Sequence, residues 1–227
     1  MSINNITNRS TLLDMLNGNS GSKADEVFKS IIDTNTQRYQ NRIKQVTGID
    51  VSGSANSKYE KVSNAATNVT DSITSLQNEA LWDESHESYS RENITTAVKN
   101  FVSAYNTFVS NMNSASTALK SQFKTELDKA MTENKEMLMS VGISVEEDGR
   151  LTVDSDKLSN TDTDSLKKIF GEGSELLSNV KSQADDCNTI VSKALSVQKS
   201  MSGIYNSSSN TQDLSSLLSG SSFNSMG

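Results

Sequence analysis

The stretch of sequence that decides the fold is NITTAVKNFVSAYNTFVSNMNSASTALKSQFKTELDKAMTENKEMLM, residues 93–139. Its apolar residues recur at alternating steps of four and three, which is the spacing of a coiled-coil seam. These residues are Ile94, Val98, Phe101, Tyr105, Phe108, Met112, Ala115 and Leu119. The stripe continues through Phe123, Leu127, Ala130, Leu138 and Val141, with a stutter between 119 and 127 that should locally unwind a supercoil. We therefore predict one long helix here, of about 50 residues and about 75 Å.

A β-hairpin is predicted directly after this helix, in VGISVEEDGRLTVD, residues 141–154. Apolar and polar residues alternate on both sides of Asp148-Gly149, which supplies the turn because glycine accepts positive φ. So small a hairpin must pack on a helix to be stable. The predicted core between them is Phe101, Tyr105, Phe108, Ile143, Val145, Leu151, Val153, Ile169 and Phe170.

Two short helices are predicted after the hairpin. Asp154 or Ser155 should cap the first, since both residue types favour that position. Thr163 or Asp164 should cap the second, which ends at Ile169-Phe170 with Gly171 as a left-handed stop.

Three stretches of this region resemble a known family. They are FVSAYNTFV (101–109), VGISVEEDGRLTVDSDKL (141–158) and SLKKIFG (165–171). They are similar to the C-terminal part of the flagellar hook-associated protein 2 family, the filament cap proteins. That family shows an FV-x-AYN helix, then an LGI-x-x-x-x-DG-x-L-x-(ILV)-D-x-x-KL hairpin and helix, then V-x-x-LF. The match does not extend to residues 1–90, and the sequence contains no counterpart of the family's large β-rich outer domains.

The resemblance implies the helical stem of an extracellular bacterial assembly, without enzymatic activity. It implies a homo-oligomer, a ring of several copies, whose other partners are flagellin or hook-associated proteins. It also implies secretion to the bacterial flagellum through an export channel, without a cleaved signal peptide.

The composition favours a mainly α fold, an elongated antiparallel helical bundle or coiled coil with disordered termini. The hydrophobic fraction is 33%, against about 45–50% in globular chains. Proline is absent, as expected of long helices, whose interiors exclude it. The net charge of −7 argues against nucleic-acid binding, which depends on basic patches. The sequence contains no run of 18 apolar residues, so no membrane insertion is predicted. The start, MSINNITNRSTLLDMLN, does not have the pattern of a signal peptide.

The predicted organisation is a helical stem at 23–205, with the hairpin subdomain at 141–171, between two disordered tails at 1–22 and 206–227. The tails are rich in Asn, Ser and Gly and contain few apolar residues. Their apolar islands either have no role, or they dock against a partner or serve export.

Three further helices complete the predicted stem. The first runs from Lys23 to Thr47, with residues at helical spacing at Ala24, Val27, Phe28, Ile31, Ile32, Asn35, Tyr39, Ile43 and Val46. The second runs from Ser57 to Ala80, with heptad positions at Tyr59, Val62, Ala66, Val69, Ile73, Leu76 and Ala80. The last follows Gly173, with heptad positions at Leu177, Val180, Ala184, Cys187, Val191, Ala194, Gln198, Met201 and Tyr205.

No catalytic, cofactor-binding or metal-ligating residue is predicted. His86 is the single histidine and is expected in a solvated loop, where it has too few neighbouring ligands for a metal. Cys187 lies on the buried stripe beside two acidic residues, whereas a reactive thiol needs a basic neighbour. The acidic run at 154–164 fails the EF-hand spacing, because leucine occupies the fifth ligand position in both registers. Trp82 is expected to pack at the corner between two helices.

The first hypothesis is therefore a structural protein of the bacterial flagellum related to the filament cap, acting in cell motility by self-assembly and contact with filament subunits. The alternative is a secreted or surface coiled-coil adhesin or secretion-tip protein, active in cell adhesion. An intracellular coiled-coil adaptor is a third hypothesis.

Overall fold

The computed structural model describes residues 34–35, 37–42, 44–45, 50, 56–87 and 89–207, without the side chains of 56, 197–198 and 200–207. The chain divides into two compact units, Met1–Arg42 with Lys199–Gly227, and Ile43–Gln198. Residues 34–35, 37–42 and 44–45 are helical, and the rest of the predicted first helix lies outside the described residues. The predicted tail at 1–22 also lies outside them, as does the tail at 206–227 beyond Ser207.

The described part of the chain is mainly helical, with one small antiparallel sheet of two strands. The elements, in chain order, are α1 (Asn56–Leu76), a 3-10 turn (Glu79–Leu81), α2 (Arg91–Ala115), α3 (Thr117–Glu133), α4 (Lys135–Ser140), β1 (Ile143–Val145), β2 (Leu151–Val153), α5 (Ser155–Asn160), α6 (Thr163–Phe170) and α7 (Glu175–Ser207).

The single long helix predicted for residues 93–139 is wrong, because the structure breaks it at Ser116 and again at Asn134. Ser116 has an extended backbone, and its Oγ accepts hydrogen bonds from the backbone N–H groups of Ala118 and Leu119. Asn134 turns its side chain back and donates to the Ala130 carbonyl oxygen at 2.8 Å. The apolar periodicity runs through Ser116 and gives no sign of that break, whereas Asn134 itself occupies the seam position between Ala130 and Leu138.

The predicted hairpin is confirmed. Ile143 pairs with Val153, and Val145 pairs with Leu151, in an antiparallel register. Gly149 has a φ of +87°, and its N–H donates to the Glu146 carbonyl oxygen at 3.0 Å. A glycine with positive φ after a tight turn matches the strand twist, which is why Asp-Gly is favoured there.

The predictions for the two short helices are partly right. Asp154 caps α5, as predicted, by accepting from the backbone N–H of Lys157. The cap of α6 is Asp162 rather than Thr163 or Asp164, because its carboxylate reaches the N–H of Ser165. Gly171 ends α6 in an extended conformation rather than a left-handed one. Glycine is needed there because a Cβ would lie 2.5 Å from the Lys167 carbonyl oxygen.

The corner between α1 and α2 is built around Trp82. The predicted helix to Ala80 ends earlier, at Leu76, and Ala80 lies in the 3-10 turn. Trp82 is buried, and its indole N–H donates to the Leu76 carbonyl oxygen at 2.6 Å. Ser90 then caps α2 by accepting from the backbone N–H groups of Glu92 and Asn93. The corner therefore provides hydrogen-bond partners for backbone groups at the end of α1 and at the start of α2.

The helices α1 and α7 contact each other through polar side chains beside their apolar stripes. Ser63 donates to Asn188 at 2.6 Å and lies 3.1 Å from the hydroxyl of Ser192, while Thr70 donates to Asp185 at 2.9 Å. Ser63 contacts residues 188 and 192, whereas Thr70, which is later in α1, contacts the earlier residue Asp185 of α7. The two helices therefore run in opposite directions. We call these two helices the α1–α7 pair.

Candidate functional site: the helix–hairpin module

The hairpin and α6 pack on α2 through hydrogen bonds from side chains to backbone and through buried aromatic rings. We use the name helix–hairpin module for α2, α3, β1, β2, α5 and α6. Seven of the nine predicted core residues are buried here, and Val145 and Val153 are half-buried. A sheet of two three-residue strands is too narrow for its neighbours to cover the whole apolar face.

Aromatic rings join α2 to the end of α6. The ring of Phe101 lies 6.1 Å from that of Tyr105 and 6.1 Å from that of Phe170, in tilted arrangements. All three rings are buried. Tilted aromatic pairs at this distance add about 0.5–1.5 kcal/mol beyond the burial of their area. Phe101 is therefore the side chain that links the two ends of the module.

Asn106 provides a pair of hydrogen bonds that sequence reasoning missed. Its Nδ2 donates to the Leu151 carbonyl oxygen at 2.8 Å, and its Oδ1 accepts from the Leu151 N–H at 2.8 Å. The amide thus satisfies both backbone groups of Leu151 on the edge of β2 that faces α2. The one signal in the sequence was a polar residue at the flank of the apolar stripe, inside the FVSAYN stretch.

The hairpin turn packs closely against α3. A Cβ on Gly149 would lie 2.7 Å from Asp128 Oδ1 and 3.2 Å from Lys124 Nζ, and these two side chains form an ion pair. In the same turn, the backbone N–H and the guanidinium of Arg150 hold the pKa of Asp148 below its ordinary value. The positive φ of Gly149 therefore favours glycine at this turn, and a larger residue would also have to displace the side chains of Asp128 and Lys124.

Tyr105 contributes a buried hydroxyl that has no hydrogen-bond partner among the described residues. Burial raises the pKa of this hydroxyl above its ordinary value, and the negative charge of Asp128 raises it further. The phenol therefore stays protonated at physiological pH.

Residues at the start of α2 hold the two short helices. Arg91 Nε donates to the Ser159 carbonyl oxygen at 2.8 Å, and the hydroxyls of Tyr89 and Thr163 lie 3.2 Å apart. These bonds extend the module from the hairpin to the loop between α5 and α6.

An open groove of about 470 Å³ runs along α2 beside the hairpin turn. Its lining consists of hydrogen-bonding side chains with two cations and one apolar residue: Lys99, Val102, Ser103, Asn106, Thr107, Ser110, Asn111 and Arg150. It contains no histidine, cysteine or carboxylate.

The remaining candidate residues lie apart from the module. His86 is exposed in the corner before α2. Cys187 is buried on α7, and burial raises its pKa to about 12, so the thiol is protonated at neutral pH. Within the described residues, no group of three or more His, Cys, Asp or Glu side chains could hold a metal ion.

None of the described helices carries an apolar stretch that would fit the hydrocarbon core of a bilayer. Comparison of the chain with protein-family models, curated proteins and solved structures finds no match.

Proposed function

We propose that this chain is a structural protein of the bacterial flagellum, similar to the stem of the filament cap, hook-associated protein 2. It acts by self-assembly and by contact with flagellin or other hook-associated subunits. It is exported without a cleaved signal peptide, and its helices form an elongated antiparallel bundle with coiled-coil seams.

One observation carries this proposal: the three stretches that resemble the family contact one another. Phe101 in the first stretch packs on Phe170 in the third, with ring centroids 6.1 Å apart. Asn106 in the first bonds to Leu151 in the second. The resemblance requires these three stretches to pack as one helix–hairpin unit, and their packing here is consistent with that architecture.

The chemistry of the described polar groups also supports a structural role. Asp154 and Asp162 cap helices, and Asp148 orders the hairpin turn. The carboxylates that stand out in the sequence thus accept local hydrogen bonds, as capping and turn residues do. A protein that works through such contacts, without catalysis, fits an assembly subunit.

The proposal is tested by following export in bacteria that carry flagella. The full chain is expressed in a strain with a working flagellar export channel and in a matched strain that lacks the channel, and medium and cytosol are probed with antibody. We expect protein in the medium of the first strain alone. Retention in the cytosol of both strains would contradict the proposal.

A deletion of residues 1–22 sharpens the same experiment, with a deletion of residues 206–227 as the matched control. Loss of secretion in the first deletion and not in the second would identify the polar start as the export signal. Secretion that continues without the flagellar channel would instead favour the surface adhesin or secretion-tip protein.

A further inference from the structure

The break between α2 and α3 interrupts an apolar stripe that continues on both sides of it. Ser116 is the one residue between the two helices. The apolar stripe passes it without a change of phase, from Met112 to Ala115 to Leu119, and there is neither glycine nor proline anywhere in residues 94–141. The unbroken phase of the stripe is therefore compatible with a continuous helix across Ser116, and the broken form uses the preference of serine for a cap position.

Few bonds hold the break itself. Ser116 Oγ accepts from Ala118 N at 3.1 Å and from Leu119 N at 3.5 Å, and Ser116 N donates to the Met112 carbonyl oxygen at 3.5 Å. A helix end leaves up to four backbone groups without an intrahelical partner, and a continuous helix would pair them. Three residues before the break, Asn113 Oδ1 is buried without a partner among the described residues.

The contacts that secure the folded form join the two sides of Ser116. The first side, residues 56–115, contains α1 and α2, and the second, residues 117–196, begins with α3. Asn106 bonds to Leu151, Arg91 bonds to the Ser159 carbonyl oxygen, and Thr70 bonds to Asp185. A second copy of the chain presents the same groups, so each side could make the same contacts with the other side of a partner copy.

We propose that two copies of this chain exchange their halves at Ser116 and form a domain-swapped dimer. In the dimer, α2 and α3 become one helix over residues 91–133, and each half packs on the complementary half of the partner. The exchange keeps the contacts that join the two halves and adds helical bonds at the hinge. This proposal goes beyond the flagellar role and does not depend on it, because it concerns the purified chain alone.

Substitutions on either side of the hinge move this equilibrium in opposite directions. Thr117→Pro fits the broken form, because proline is favoured at the first position of a helix and requires an extended residue before it. Thr117 is that first position, and Ser116 is extended. In the continuous helix the same proline would lose a hydrogen bond and clash with the preceding turn. Ser116→Ala has the reverse effect, because it removes the cap and favours helix.

Light scattering after gel filtration measures the result for the full chain, refolded at high and at low protein concentration. We expect wild type to form a dimer at high concentration, and Ser116→Ala to raise the dimer association constant by about tenfold or more, since two caps are lost per dimer. Thr117→Pro should remain at the 24.6 kDa of one chain. Thr117→Ala and Ser110→Ala, two exposed positions near the hinge, are controls expected to stay close to wild type.

A disulfide between the halves distinguishes exchange from simple association. The hydroxyls of Ser63 and Ser192 lie 3.1 Å apart across the two halves, so Ser63→Cys with Ser192→Cys should oxidise readily. The native Cys187 is buried and will not compete. In the swapped dimer the bond joins two chains, and a non-reducing gel shows a covalent dimer.

A dimer fraction that runs as single chains on that gel would overturn the proposal. So would a wild type and Ser116→Ala that both stay monomeric at high concentration. If Ser116→Ala does not fold, the comparison of wild type with Thr117→Pro still decides: equal dimer in both contradicts the exchange, and dimer in wild type alone supports it.

Discussion

The helix–hairpin module and the α1–α7 pair are held together by different kinds of contact. The module depends on large buried rings such as Phe101 and on side chains that bond to distant backbone, such as Asn106. The contacts described between the helices of the α1–α7 pair are hydrogen bonds at exposed or half-exposed positions such as Ser63 and Thr70. Single substitutions should therefore matter much more in the module than in the pair.

The largest effect is expected from Phe101→Ala. Removing a fully buried ring that contacts both Tyr105 and Phe170 should lower the free energy of unfolding by about 3–5 kcal/mol, measured by urea denaturation. Phe101→Leu is the control, because it keeps most of the apolar volume and should cost less than about 1.5 kcal/mol. A denaturation midpoint unchanged in Phe101→Ala would show that the module is not held by this ring.

A smaller but more specific loss is expected from Asn106→Leu. The substitution leaves the N–H and the carbonyl of Leu151 without their partner, and Leu151 is only 2% exposed. The free energy of unfolding should fall by about 2–4 kcal/mol for the two groups together. Asn100→Leu is the matched control, an exposed asparagine on the same helix whose change should stay within about 0.5 kcal/mol. Equal unfolding curves for the two variants would contradict the role of Asn106.

Acid should weaken the module through the cap of α6. The backbone N–H of Ser165, and then its hydroxyl, hold the pKa of Asp162 below its ordinary value. A carboxyl with a lowered folded pKa stabilises the fold above its unfolded pKa and loses that contribution as pH falls through the folded value, here below about pH 4. Asp162→Asn, which still caps, should be near wild type at pH 7 and lose less stability at pH 3. Asp162→Ala should be weaker at both pH values, and identical pH profiles for all three proteins would refute the assignment.

The smallest effect is expected in the α1–α7 pair. Thr70→Val removes the bond from Thr70 to Asp185, whose carboxylate is exposed and also pairs with Lys181. Because an exposed bond of this kind contributes little, the unfolding free energy should change by about 0–0.5 kcal/mol. A loss as large as that of Asn106→Leu would show that the contrast between the two regions is mistaken.

Much of the secondary structure in the two regions could be predicted from the sequence. Apolar spacing predicted the buried stripes of α1, α2 and α7, because burial follows helical periodicity directly. Strand alternation with Asp-Gly predicted the hairpin and its turn. These signals are local, so a single chain segment suffices to read them.

The contacts that depend on tertiary packing could not be predicted. Ser116 sits in a stretch that reads as continuous helix, and only packing of α3 shows that it is a cap. The bond from Asn106 joins residues 45 positions apart, and no local pattern specifies its partner. Gly171 was assigned a left-handed φ, whereas the reason for glycine is the close approach of the Lys167 carbonyl oxygen.

Asn106 holds the hairpin on α2 through its two hydrogen bonds to Leu151, and amide hydrogen exchange at Leu151 tests this role most directly. In wild type the Leu151 N–H should exchange slowly, since it is buried and bonded to Asn106 Oδ1 at 2.8 Å. In Asn106→Leu it should exchange at least about tenfold faster, a change of about 1.4 kcal/mol in local opening, while core amides of α1 keep their protection. Equal protection of Leu151 in both proteins would contradict the account.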